Sequence, residues 1–228
     1  MIITNGIRLG PGVTVKQANT PYVNPLPLLF ELDASTYTSG STWSDISGNG
    51  RNATLTNVAW DGTNGGSFVF TSDPSKNIVI SGSEGAWGQA GSAPNLTFSV
   101  LAKVISNSGY QHIAGWRGDI NFWFLILPNS QVEARIDTGL AWDIGLDYTP
   151  YYANWTYITF VADSALDQTR LYLNSTLVGN VDTSLGTFGT GNALFRIGCD
   201  SGNSFAMDGN IGGAAAYSRA LTQQEVTT

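Results

Sequence analysis

The chain is poor in the residues that most often carry chemistry. It has one cysteine, Cys199, and one histidine, His112, in 228 residues. A single cysteine excludes an intrachain disulfide and fits maturation in a reducing compartment. Cys199 ends the apolar run "LFRIGC", where a small packed side chain is expected. His112 stands in "YQHIAGW" with no serine or cysteine nucleophile motif beside it. A strand histidine held by hydrogen bonds is expected there rather than a catalytic base.

Charge is scarce too. Only 12% of residues are charged, against about 25% in ordinary globular chains, and 42% are hydrophobic, a combination that argues against disorder. The ten basic residues are scattered singly through a chain of net charge −7. With no basic run or stripe, neither a nucleic-acid backbone nor an anionic membrane surface is an expected partner. No apolar run approaches the ~20 residues that a bilayer-spanning helix needs. The opening "MIITNGIRLGPG" lacks the apolar core of a signal peptide, so none is expected. The sequons at Asn52, Asn95, Asn154 and Asn174 are then read as products of an Asn/Thr-rich composition. Walker and Rossmann phosphate loops are missing, and nothing repeats at a fixed period.

What is abundant points one way. Twenty-seven glycines among many Ser, Thr and Asn predict short strands joined by tight turns. From Leu28 onward, strand-like runs recur, among them "LLFEL", "ATLTNVAW", "SFVFT", "LTFSVLAKVI", "FWFLIL", "WTYITFVA" and "GGAAAY". In "TFSVLAKV" the inward set is Phe98, Val100, Ala102 and Val104; in "YITFV" it is Tyr157, Thr159 and Val161 or the complement. A dozen strands with almost no helical periodicity predict an all-β, two-sheet antiparallel sandwich of the jelly-roll kind, in one domain spanning 28–228. Thr222 stands three residues before Glu225, a capping box that predicts a short helix over 222–227. Residues 1–27 hold four of the eight prolines, including Pro21, Pro25 and Pro27, and little alternation. They predict an extended N-terminal arm whose apolar residues (Ile2, Ile3, Ile7, Leu9, Val13, Val15) cover the domain or another chain.

Three segments carry a resemblance. They are "LFELDASTYTSGSTWSDISGNGRNATLTN", "NWTYITFVADSALDQTRLYLNSTLVG" and "LFRIGCDSGNSFAMDGNIGGAAAYSRALTQQEV". In order and spacing they resemble the laminin-G-like, concanavalin A-like lectin and glucanase jelly-roll family. The last follows the family's closing element through Ile197, Gly198, Phe205, Gly209, Ile211, Tyr217, Arg219, Ala220, Leu221 and Glu225. The resemblance implies core positions for Phe205 and Ile211. It implies that Tyr217 and Leu221 flank the entry to the terminal helix, with Arg219 pairing a carboxylate or capping carbonyls there. It does not decide function, because the scaffold serves lectins, adhesion modules, enzyme accessories and virion proteins. The arm "TNGIRLGPGVTV" is similar to N-termini of tailed-phage virion proteins. That likeness implies a non-enzymatic virion subunit, a capsid decoration or tail-associated adhesion part, whose partners are other virion subunits including copies of itself. The alternative is a lectin module that takes glycan as its partner.

Enzymatic hydrolysis is not expected. Glycosidases of this family carry an E-x-D-x-x-E strand, and the glutamates outside the terminal helix are Glu31, Glu84 and Glu133. Glu31-Leu32-Asp33 is the nearest match, but Thr36 stands where the third acid is required. Two binding constellations remain. "DISGNG" places Asp45, Ser47, Asn49 and Gly50 at offsets 1, 3, 5 and 6 of a calcium loop, yet position 12 is Thr56, which excludes an EF-hand. The resemblance leaves a structural calcium open at Asp45 and Asn49, with Asp33, Asp119, Asp200 or Asp208 as further donors. The Asx-turn reading of the same residues ranks ahead of it, and no other cofactor is expected. In "DTGLAWDIGLDYTPYYANWTY", Trp155 and Tyr157 are expected in a strand, packed in the sandwich. Trp142, Tyr148, Tyr151 and Tyr152 are then the exposed rings of a long loop, fit to grip a sugar or a protein.

Overall fold

The computed structural model describes residues 28–105, 109–116, 122–136, 141–182, 185–200, 202 and 204–227. The arm over 1–27 and the donor Asp119 lie outside them.

Alternation at period two becomes two antiparallel sheets. Sheet A contains β1 (Leu28–Asp33), β4 (Ala59–Asp61), β5 (Ser67–Thr71), β7 (Asn95–Val104), β12 (Thr156–Asp163), β13 (Gln168–Leu173), β14 (Thr176–Asp182) and β16 (Asp208–Tyr217). Its order is β14-β13-β12-β7-β16-β5-β4, and β1 also pairs with β16. Sheet B contains β2 (Thr42–Trp43), β3 (Ala53–Thr56), β6 (Asn77–Ile80), β8 (Gln111–Trp116), β9 (Phe122–Ile126), β10 (Gln131–Ile136), β11 (Ala141–Asp147) and β15 (Arg196–Ile197), in the order β11-β10-β9-β8-β15-β6-β3-β2.

The inner faces meet as expected for a sandwich. Phe98, Val100, Ala102 and Val104 of β7 all enter the core, and on β12 it is the complement, Ile158 and Phe160, that does so. Across from them lie Ile78, Ile80, Trp116, Phe122 and Phe124 of sheet B. Each fully buried aliphatic or phenylalanine side chain contributes about 1.5–3 kcal/mol. The part-exposed ion pair Arg219–Glu225 is worth at most about 1 kcal/mol, and the largely buried pair Arg170–Asp163 offsets much of its attraction by desolvation, so the core decides stability. Gly198 of the "IG" element holds φ +84° beneath the Phe70 ring, and a Cβ there would lie 2.0 Å from it. Cys199 and His112 are fully buried, the histidine within β8.

The structure corrects three expectations. "ATLTNVAW" is not one strand: the chain turns at Asn57 (φ 53°) and passes from β3 in sheet B to β4 in sheet A. Residues 141–147 are not loop but the edge strand β11. Phe205 is only half-buried, stacked at 4.5 Å on the exposed ring of Tyr110, whereas Ile211 does reach the core.

A second apolar cluster sits outside sheet A. Val161, Tyr172, Ala215 and Tyr217 on its outer face are covered by Leu221 and Val226 at the chain's end. The helix Gln223–Thr227 forms where the capping box predicts it: Thr222 N–H donates to Glu225 Oε2 (2.8 Å), and Glu225 N–H donates to Thr222 Oγ1 (3.3 Å). Arg219 takes both roles the resemblance implies, pairing Glu225 and donating to the Ala220 carbonyl (2.9 Å).

Candidate functional site

Residues opposite one another across paired strands share a face, so register alone maps the outer face of sheet A. One row runs Asp33, Gly213, Leu101, Tyr157 across β1, β16, β7 and β12. The next runs Glu31, Ala215, Ser99, Thr159, Tyr172 and reaches β13. The middle of each row is small or short (Gly213; Ala215, Ser99), while acids stand at one side and tyrosines at the other. The result is a shallow, open trough lined by Ser99, Leu101, Tyr157, Thr159, Tyr217 and Glu225 among others. The C-terminal helix closes one end. Beside Leu101, Trp155 packs over Gly212: a Cβ there would lie 3.4 Å from the indole and 3.2 Å from Leu101. Trp155 keeps 38% of its surface exposed, so its expected place inside the sandwich is corrected. It precedes β12, outside the alternation that buries Ile158 and Phe160.

The trough is mostly apolar, with a few hydroxyl groups set into it. Ser99 Oγ and Thr159 Oγ1 share one hydrogen bond at 2.8 Å, which leaves each able to bind again. The buried hydroxyls of Tyr157 and Tyr172 have no hydrogen-bond partner among the described residues. Both hydroxyl oxygens are enclosed by the packing, so they lie beneath the trough surface and not in its open part. Burial, with the charge of Asp33, pushes the Tyr157 phenol well up. Burial and the charge of Glu31 do the same to Tyr217, against a smaller opposing effect of Arg219. Both are therefore neutral donors throughout the ordinary pH range. Arg219 holds the Glu225 carboxyl down to about 2 against some burial, with help from Thr222, so it is a permanent acceptor.

The aromatic loop predicted from sequence is not exposed as expected. Tyr148 is fully buried, because β11 leads it into the core, where its N–H donates to the Ser130 carbonyl (2.7 Å). Tyr151 and Tyr152 are half-buried and pack on it at 5.4 and 5.3 Å. Burial pushes the Tyr148 phenol up. Trp142 stands in β11 opposite Ala134; its side chain lies outside the described part.

Asp45 and Asn49 work as turn residues. Asp45 Oδ1 accepts the N–H groups of Glu31 (3.0 Å) and Ser47 (2.9 Å), and Oδ2 accepts that of Arg51 (2.9 Å). Burial pushes this carboxyl up, but those donors outweigh it and hold it below its ordinary value. Asn49 Nδ2 donates to the Leu28 carbonyl (2.7 Å), turning N–H rather than oxygen toward its neighbour. Asp200 is committed elsewhere, its Oδ1 accepting the N–H groups of Ser204 and Phe205. No group of three or more His, Cys, Asp or Glu able to hold a metal exists among the described residues. The carboxylates of Asp45 and Asp200 are thus spent on backbone N–H groups.

Sequence reasoning missed the trough. Its signal was "IGGAAAY", which reads as a low-complexity strand until the register sets its small residues between acids and tyrosines.

No curated protein matches the chain by sequence. A family model described as the concanavalin A-like lectin/glucanases superfamily matches residues 87–227. Among solved structures the chain is similar to domain 4 of AbnA, a GH43 extracellular arabinanase from Geobacillus stearothermophilus, solved in complex with arabinotriose. That match has TM-score 0.64 and 18% identity, over 89% of this chain and 97% of that one. It is also similar to the botulinum neurotoxin serotype D binding domain (0.64, 15%, 90% of this chain and 52% of that). A third is Trypanosoma rangeli sialidase (0.63, 16%, 89% and 32%). The chain thus spans about half of the toxin domain and about a third of the sialidase.

Proposed function

The chain belongs to the concanavalin A-like lectin/glucanase superfamily, and from that premise we propose that it is a non-catalytic carbohydrate-binding module whose ligand lies in the outer trough of sheet A. The observation that carries this reading is the trough's composition: a serine–threonine hydroxyl pair on a floor of small residues, the Glu225 carboxylate at its edge, and the half-exposed indole of Trp155 beside the lining residue Leu101. Sugars need that combination, hydroxyl hydrogen bonding plus an apolar ring for their C–H face. The arabinanase domain solved with arabinotriose supports the ligand class. Glu31 and Asp33 flank the trough, but Asp33 is used in the fold: its Oδ1 accepts the Ser35 N–H (2.8 Å) and its carbonyl accepts the Thr36 hydroxyl (2.7 Å). A glycosidase needs both acids free at the scissile bond. The virion-subunit expectation rests on residues 1–27, outside the described part.

The test is calorimetric titration with arabinotriose and a panel of neutral and acidic oligosaccharides. Saturable binding is expected, weakened at least about tenfold (1.4 kcal/mol) by Trp155→Ala and abolished by Ser99→Leu, which fills the floor. Failure of every glycan to bind overturns the reading, and release of reducing ends from any of them overturns the non-catalytic part.

A further inference from the structure

Trp60 is an exposed indole laid on a purpose-built seat. It stands in the edge strand β4, opposite Phe68, with 44% of its surface exposed. A Cβ at Gly62 would lie 2.5 Å from its Cη2 and 2.7 Å from its Cζ3; one at Gly66 would lie 3.3 Å from its Nε1. The indole therefore stretches lengthwise from one glycine to the other, and a larger residue at either place would lift it. Tyr37 braces it at 5.8 Å and is itself fixed edge-on to Phe68 (5.0 Å) and by its hydroxyl, which donates to the Gly40 carbonyl (2.6 Å). Held in this way, the indole still turns nearly half of its surface to water.

A rigid, exposed ring loses little conformational freedom on binding, which is what a stacking platform requires. Polar groups follow at once: Asp61, whose Oδ1 accepts the Thr63 N–H (2.9 Å), then Thr63 and the exposed Asn64. β5 lies between β4 and β16, the nearest strand of the trough, and Trp60 shares the face of the buried Phe68 rather than the outer face, so this is a different surface. We propose that Trp60 is a second saccharide site, stacking the C–H face of a neutral sugar ring while the exposed Asn64, in the loop between the two glycines, meets its hydroxyls. The neighbouring carboxylate and the chain's charge of −7 select against acidic sugars.

Proton–nitrogen correlation spectra of the tryptophan indoles read both surfaces at once, with the Trp60 and Trp155 signals assigned by their loss in Trp60→Phe and Trp155→Phe. The probes are arabinotriose, xylotriose, cellotriose, maltotriose and mannotriose at millimolar concentration, with sialyllactose as the acidic counterpart. The Trp60 signal is expected to shift saturably with a neutral trisaccharide and not with sialyllactose. Gly62→Ala, at a backbone angle alanine accepts (φ −76°), keeps the indole but displaces it, and should lower that affinity at least fivefold (about 1 kcal/mol). A shift of Trp60 without Trp155 upholds this site and sinks the trough reading. A shift of Trp155 alone overturns this proposal and leaves the trough standing; silence of both overturns both.

Discussion

At the scale of single residues, Asp45 shows how one carboxylate can tie a loop to a strand. Its three N–H donors come from Glu31 in β1 and from Ser47 and Arg51 in the turn. Asp45→Asn keeps the shape but aims an amide N–H at the Arg51 N–H. With the site partly open to water, the loss should be about 1–2 kcal/mol, read by urea unfolding at pH 7. The carboxyl sits below its ordinary 3.8 in the folded chain, so its stabilisation is present above that pH and disappears as pH falls through the lower folded value. The gap between wild type and Asp45→Asn should therefore close in acid; a gap unchanged at the acid limit would show that the charge is not what matters. Gly62 and Trp60 belong to this scale too: no pattern in "VAWDGTNGG" reveals that an indole lies across two glycines, because that contact depends on how the loop folds back.

At the scale of elements, the C-terminal helix is short enough to depend wholly on its surroundings. A helix of five residues is unstable alone, so its capping box, the Arg219–Glu225 pair and the apolar contacts of Leu221 and Val226 must hold it. Thr97 anchors its entry, its hydroxyl donating to the Arg219 carbonyl and accepting the Leu221 N–H, each at 2.9 Å. Leu221→Ala should cost about 2–3 kcal/mol and abolish hydrogen-exchange protection of the Val226 amide, which donates to Thr222 (3.1 Å). Glu225→Gln should cost less than about 1 kcal/mol near neutrality, because the pair is partly solvated. Since the Glu225 carboxyl is lowered from 4.5 to about 2, that contribution is full above pH 4.5 and fades as pH falls toward 2. An acid-independent difference between the two proteins would refute the pairing. The helix was legible in the sequence because capping is local, three residues apart. The trough was not, because its rows join Glu31, Ala215, Ser99 and Thr159, which meet only through strand register. Likewise β11 was hidden by aromatics that read as a loop, although "AWDIGLD" alternates.

At the scale of the whole molecule, the question is what closes the sandwich. The single cysteine rules out an intrachain disulfide, and burial pushes its thiol up to about 11, so it is an inert packed group. What remains is apolar burial between the two sheets, extended on the outside of sheet A by the cluster under the C-terminal helix. If that is enough, the fold should not draw on calcium. A calcium bound only by the folded chain and supplied at a hundred times its Kd would add about 2.7 kcal/mol. For a domain of this size that is roughly 5–10 °C in Tm, far above the error of a thermal melt. The donors around Asp45 are already spent on backbone N–H groups, so melts with EDTA and with millimolar calcium should coincide to within a degree or so. A rise of several degrees with calcium that Asp45→Asn removes would mean that the loop rearranges to bind the ion, trading its turn bonds for coordination.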